Sequence, residues 1–152
     1  TRASEPEARG GSRGGNADRR SVASQGGAAL MKARQGGAII LTRSTSFMKG
    51  RPGMAGYTTS KAAVVGLTQT LARELGPFGI RVNCIVPGAI STPRQHALWR
   101  TPESDKEIAA MQSLDIVLEG RDVAAMALFV ASGDARGSTG SQFFVDAGIR
   151  LV

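Results

Sequence analysis

The residues whose types and spacing most clearly suggest chemistry are a tyrosine and a lysine in the stretch YTTSKAAVVGLTQTLARELG, which begins at Tyr57. If this stretch is helical, Tyr57 and Lys61 lie one turn apart on the same face, with adjacent side chains. A lysine ammonium beside a phenol favours the ionised phenol, which suits the pair to general acid/base chemistry. The alternative is an ordinary helix surface, because lysine is common there.

A hydroxyl group and a turn accompany this pair. Ser44 follows the apolar run AIILT and precedes Tyr57 by thirteen residues, while the run GIRVNCIV is followed by Pro87 and Gly88, with Thr92 shortly after. Both runs predict strands buried in a parallel sheet, and sites in such sheets form at the carboxyl ends of the strands. The sequence therefore predicts that the serine hydroxyl, the phenol and the Pro-Gly turn lie near one edge of the sheet.

The elements that would position these residues alternate along the chain. Apolar periodicity and glycine or proline breaks predict a helix over about 16–34, a strand in GGAIILT, a loop, a helix over about 54–75 ending at Gly76 and Pro77, and a strand in GIRVNCIV. A polar segment with short helical patches covers about 91–119, followed by a helix with Asp122 near its start and a strand in GSQFFVDAG. This alternation predicts an α/β fold with a parallel sheet and right-handed crossovers.

Composition limits the function classes. The chain has 152 residues, a formal net charge of +7, one cysteine and 20 glycines. That length fits one domain, and the single cysteine has no partner for an internal disulfide. Basic residues are scattered without interleaved aromatic ones, which argues against a nucleic-acid partner, and no run is apolar enough to span a membrane. We predict a cytoplasmic protein with no metal site, in which residues 1–15 form a disordered, basic, Gly-rich tail.

Four motifs in order give a family resemblance: Ser44, YTTSK, NCIVPGAIST and the closing VDAG resemble the C-terminal half of the short-chain dehydrogenase/reductase family, over roughly residues 16–152. The resemblance implies a partial Rossmann-like, three-layer fold with a short parallel sheet. It also implies NAD or NADP as cofactor, a small-molecule alcohol or carbonyl as substrate, hydride transfer between the two, and a homo-oligomer.

The resemblance further implies roles for individual residues. Tyr57 would be the general acid/base, Ser44 would hydrogen-bond the substrate oxygen, and Lys61 would assist Tyr57 and bind the ribose hydroxyls of the cofactor. The Ile90 backbone and the Thr92 hydroxyl would address the nicotinamide carboxamide. The segment that would hold the nicotinamide end of the cofactor contains Pro87, Gly88, Ile90 and Thr92.

Four further residues have alternative interpretations. Asn16 matches an asparagine that anchors a proton-relay water in the family, yet it is followed by ADRRS rather than apolar residues, and the alternative interpretation is a helix N-cap. His96 could contact substrate or lie on the solvated surface. We predict that Trp99 packs within the polar segment and that Cys84 is a buried small hydrophobe.

One part of the expected cofactor site is not recognisable. A dinucleotide enzyme needs a Gly-rich turn between a strand and a helix, and the glycines in GGSRGGNAD follow no apolar strand. We therefore expect the family's first four strands to be missing. The chain could be a partial copy of an enzyme, or a half-domain that is catalytically silent and acts as an oligomerisation or interaction module.

Overall fold

A computed structural model describes residues 19–49 and 52–149, with side chains described from residue 26 onward. In this part of the chain three parallel strands form one sheet in the order β1-β2-β3. The strands are β1 (Gly37–Thr42), β2 (Ile80–Pro87) and β3 (Gln142–Val145). The predicted α/β fold with a short parallel sheet is confirmed.

Helices connect the strands, as the alternating pattern predicted. They are α1 (Arg19–Ala33), α2 (Ser46–Lys49), α3 (Ala55–Leu75), α4 (Pro93–Leu98), α5 (Pro102–Met111) and α6 (Gly120–Ala131). Two short 3₁₀ turns follow α3 and α6, at Gly76–Phe78 and Gly133–Ala135. The segment after β1 was predicted to be a loop, but it contains α2. Asn16 and the predicted tail over residues 1–15 lie outside the described residues.

The sheet lies between two layers of helices. Val82, Cys84 and Val86 alternate along one face of β2, where they and neighbouring residues pack against side chains of α3. Arg81 points to the opposite face, and its guanidinium donates to the carbonyls of Val130, Ala131 and Ser132 at the end of α6. Because α3 and α6 cover opposite faces of β2, the fold has three layers.

The two strands predicted to be fully buried differ in the structure. Nearly every residue of β2 is buried, and Cys84 is a buried hydrophobe as predicted. In β1 only Leu41 is buried, so the expectation of a strand covered on both faces is wrong for β1. The reason is its place in the sheet: within the described residues β1 pairs with β2 alone.

The long helix α3 ends at Leu75, as the sequence predicted. The chain reversal after it is made by a different glycine from the predicted Gly76. Gly76 keeps a right-handed conformation and opens the 3₁₀ turn with Pro77. Gly79 has a φ of +70°, and a Cβ there would lie 2.7 Å from the carbonyl oxygen of Gln35. Gly79 is therefore the residue that lets the chain reverse into β2.

Asn83 fastens the third strand to the second. Its side-chain amide donates to the carbonyl of Ser138 at 2.7 Å, and its Oδ1 accepts the backbone N–H of Ser141 at 3.0 Å. Asn83 is itself buried, so both halves of its amide are satisfied by the loop that leads into β3.

The strand register brings the three carboxyl ends together. Thr42 of β1 pairs with Ile85, and Pro87 at the end of β2 pairs with Val145 at the end of β3. We call this side of the sheet, where β1, β2 and β3 end, the carboxyl edge. Ser44, Gly88 and Asp146 each follow one strand there.

Candidate active site

Ser44 is held at the carboxyl edge by its two neighbours. The backbone N–H of Arg43 donates to the Ile85 carbonyl at 3.0 Å, and that of Thr45 donates to the Pro87 carbonyl at 3.2 Å. These bonds continue the parallel pairing beyond the last residue of β1. Ser44 therefore sits beside the end of β2, where the Pro-Gly turn begins.

The Ser44 hydroxyl has two local hydrogen bonds. It donates to Ser46 Oγ at 3.0 Å and accepts the backbone N–H of Ser46 at 3.2 Å. Helix α2, which Ser46 begins, contacts α3. The hydroxyl is thus connected to the helix that carries Tyr57.

Tyr57 and Lys61 lie in the first two turns of α3, and the Lys61 Nζ is 5.5 Å from the centre of the Tyr57 ring. The Tyr57 side chain is half-buried, whereas Lys61 is only 8% exposed. A lysine on an ordinary helix surface would extend into solvent, so its burial beside the phenol is inconsistent with the surface interpretation. The two side chains are adjacent, as the spacing predicted.

The turn after β2 packs tightly against the end of β3. The Gly88 N–H donates to the Val145 carbonyl at 2.9 Å, and a Cβ on Gly88 would lie 2.8 Å from the Asp146 Cα. Only glycine allows this approach. Asp146 is buried, and its Oδ1 accepts the N–H of Gly148 at 3.1 Å. The closing motif therefore packs against the turn at the Cα and Cβ of Asp146.

The next residues of this segment have defined contacts. Ile90 is buried with Leu118 and Ala147, and its N–H donates to the Gly88 carbonyl at 3.2 Å. The Thr92 hydroxyl oxygen caps α4 by accepting the Gln95 N–H at 3.2 Å. That cap uses the oxygen and leaves the hydroxyl hydrogen of Thr92 for another acceptor.

Arg43 is a buried cation that sequence reasoning did not identify. Its guanidinium carbon lies 3.5 Å from the centre of the Phe47 ring, and its Nη1 donates to the Gln142 side chain. Its Nε and Nη2 have no hydrogen-bond partner within the described chain. Burial lowers the pKa of this guanidinium from its ordinary value, and the nearby Cys84 opposes the shift. Nothing in the sequence indicated this burial, because an arginine directly after a strand is ordinarily exposed.

The polar segment after the turn is more exposed than predicted. His96 is exposed, and its Nε2 lies 2.8 Å from the Ser91 hydroxyl. Trp99 is 69% exposed, so the prediction that it packs within this segment is wrong. Leu98 and Val117 are also exposed, which leaves this part of the chain with an apolar surface.

A groove of about 440 Å³ lies between the second half of α3 and the loop before β3, lined by Gln69, Ala72, Arg73, Thr139 and Gly140. Across residues 19–49 and 52–149 there is no cluster of three or more His, Cys, Asp or Glu side chains placed to bind a metal ion. The same residues include no helix with the length and apolarity needed to span a membrane.

Comparison with known proteins gives the family. A family model described as enoyl-(acyl carrier protein) reductase matches residues 16–150. A short-chain type dehydrogenase/reductase from Mycobacterium ulcerans superposes with a TM-score of 0.84 at 32% identity, over 90% of this chain and 50% of that one. The chain belongs to the short-chain dehydrogenase/reductase family.

Two further relatives show how much of a family member's length this chain covers. D-xylose 1-dehydrogenase from Caulobacter vibrioides is 47% identical over 120 residues, which is 79% of this chain and 48% of the relative. Gluconate 5-dehydrogenase from Burkholderia cenocepacia, solved with NADP and tartrate, has a TM-score of 0.91 at 27% identity, covering 99% of this chain and 59% of that one. This member of the family thus spans about half the length of the curated relatives it matches.

Proposed function

We propose that the protein is an NAD(P)-dependent oxidoreductase that interconverts an alcohol and a carbonyl by hydride transfer. The observation that carries this proposal is the burial of Lys61 beside the half-buried Tyr57, on a helix connected through α2 to Ser44. We propose that these three groups, each able to bind or move a proton, act together at the carboxyl edge, where ligands bind in parallel α/β sheets. Relatives named as dehydrogenases support the same reaction class.

In the proposed reaction Tyr57 is the general acid/base. Its phenol gives a proton to the substrate oxygen during carbonyl reduction and takes the proton back during alcohol oxidation. The Lys61 ammonium stabilises the phenolate that exists between these steps. Ser44 donates a hydrogen bond to the same substrate oxygen, which fixes its position and stabilises the charge that develops there.

The residues after β2 are our candidates for binding the nicotinamide half of the cofactor. Gly88 brings the backbone against Asp146 without a side chain in the way, and the Thr92 hydroxyl hydrogen is free of its capping role. We propose that Pro87, Gly88, Ile90 and Thr92 hold the nicotinamide end and that Lys61 and Tyr57 bind its ribose. When bound, the cofactor accepts or supplies the hydride. The same residues serve NAD and NADP equally, and Asn16 is proposed as an additional site residue.

A tyrosine substitution tests the proposal in a form of the protein that has measurable catalytic activity. Tyr57→Phe removes one hydroxyl and little packing, so we expect turnover to fall by about 10²- to 10⁴-fold while cofactor affinity falls by no more than about tenfold, the worth of one hydrogen bond. Thr59→Ala, on the exposed side of the same turn, is the matched control and should keep full activity. D-xylose and other aldoses are the first substrates to assay. Loss of less than about tenfold in Tyr57→Phe would contradict the general-acid role.

A silent interaction module is the competing function. It is favoured by one observation: among the described residues β1 has a strand on one side only, so its other edge can accept a partner strand. Calorimetric titration with NADH and NADPH separates the two functions, because the enzyme must bind a nicotinamide cofactor and the silent module cannot.

A further inference from the structure

The Ser44 hydroxyl shares its hydrogen-bonding capacity with a second hydroxyl. Ser44 donates to Ser46 Oγ at 3.0 Å and accepts from the Ser46 backbone at 3.2 Å, and both side chains are half-buried. A serine hydroxyl has a single hydrogen to donate. The Oγ–Oγ distance of 3.0 Å allows either hydroxyl to donate, and whenever Ser44 is the donor its hydrogen is not available to a substrate oxygen.

Ser46 is held in place by packing rather than by the hydroxyl contact alone. The next residue, Phe47, lies against the guanidinium of Arg43, whose carbon is 3.5 Å from the ring centre. Arg43 is only 2% exposed, and its backbone is fixed to Ile85 of β2. The stacked pair therefore fixes the start of α2, and with it the position of the Ser46 hydroxyl relative to Ser44.

We propose that Ser46 is a positioning residue for Ser44, with a role that changes with substrate. Without substrate it accepts the Ser44 hydrogen and keeps that side chain in one rotamer. When a substrate oxygen takes the Ser44 hydrogen, the Ser46 hydroxyl rotates and donates to Ser44 Oγ. Only two O–H groups turn, and no heavy atom moves. Hydrogen bonds in such a chain strengthen one another, so Ser44 becomes the better donor. The inference rests on the proposed role of Ser44.

The first test uses the 152-residue chain and needs no cofactor. Ser46→Ala removes the hydroxyl but keeps the backbone N–H, and Ser46→Thr keeps both. Proton couplings between Hα and Hβ of Ser44 report its rotamer by NMR. We expect one rotamer in the parent and in Ser46→Thr, and averaged couplings in Ser46→Ala. Unchanged couplings in Ser46→Ala would overturn the proposal.

The second test measures turnover in a catalytically active form of the protein. We expect Ser46→Ala to lower kcat by about 3- to 10-fold, the worth of one hydrogen bond, with an unchanged KM for the cofactor. Ser46→Thr should restore the rate. In a Ser44→Ala background Ser46→Ala should have no further effect, since Ser46 acts only through Ser44. An additive loss in the double variant would refute the inference.

The two tests separate this inference from the proposed function. If Ser44→Ala leaves turnover intact, the role of Ser44 in the proposed reaction is wrong, and the positioning role falls with it. If Ser44→Ala is inactive while Ser46→Ala is fully active, only the role of Ser46 is wrong.

Discussion

Gly88→Ala should destabilise the protein because the new methyl group meets backbone. Its Cβ would lie 2.8 Å from the Asp146 Cα and 2.9 Å from the Asp146 Cβ. Carbon atoms in contact are ordinarily about 3.5–4.0 Å apart, so the turn and β3 must separate by more than about half an ångström. That movement also lengthens the 2.9 Å bond from Gly88 to Val145. Overpacking of this kind costs about 1–3 kcal/mol.

Gly66→Ala is the matched control, since it makes the same chemical change where there is room. Gly66 is an exposed residue in the middle of α3, and a Cβ there meets no atom within 4 Å. Alanine in place of glycine at such a position should stabilise the helix by about 0.5–1 kcal/mol. The two substitutions should therefore change the free energy of unfolding in opposite directions.

Urea unfolding followed by far-UV circular dichroism measures both effects. With a slope of about 1–3 kcal/mol per molar urea, a combined difference of about 1.5–4 kcal/mol separates the two midpoints by roughly 1 M. An equal slope in all three proteins would show that the change is one of native stability. A Gly88→Ala midpoint equal to or above that of the parent would refute the close packing of the turn against β3.

Three other predictions concern charge and cofactor. Lys61→Met should weaken cofactor binding roughly 10- to 100-fold in calorimetry as well as lowering turnover, since it removes a charged donor, whereas Tyr57→Phe should lower turnover far more than cofactor affinity. Arg43→Met should leave the free energy of unfolding unchanged or higher, because it removes a buried cation with two unpaired nitrogens. Arg43→Ala should instead lower the free energy of unfolding by about 2–5 kcal/mol. Urea midpoints of the two variants show whether each substitution stabilises or destabilises the protein. The 152-residue polypeptide alone should bind NADH and NADPH weakly and catalyse no measurable hydride transfer, because its proposed contacts reach only the nicotinamide and its ribose; micromolar affinity for either cofactor would contradict this.

Local patterns predicted the elements and the Tyr57–Lys61 pair. The run GIRVNCIV is rich in β-branched and apolar residues, which is typical of a strand buried in a parallel sheet, and nearly every residue of β2 is buried in the structure. The pair at i and i+4 depends only on helix geometry, which a long periodic segment fixes. Predictions of this type succeed because the pattern and the helix geometry that they use involve only residues near one another in the chain.

The features that sequence reasoning missed depend on distant contacts. Arg43 is buried because it reaches Gln142, which is 99 residues away in the chain, and stacks on Phe47. Ser46 could be recognised as a partner of Ser44 only after α2 had been located. Trp99 was expected to pack because of its apolar character, yet its surroundings in the fold leave it exposed. The roles of the site residues, Asn16 among them, stay predictions.

The two hydrogen bonds of Asn83 have a kinetic consequence for the carboxyl edge. They join residues 55 and 58 positions apart, so closing this contact carries a large loop-closure entropy before β3 can add to the sheet. Such non-local pairing slows folding. Asp146, which packs against Gly88 of the Pro-Gly turn, directly follows β3 and reaches this position only when β3 joins the sheet. Competence to bind a ligand at this edge should therefore appear in refolding only when β3 has joined the sheet.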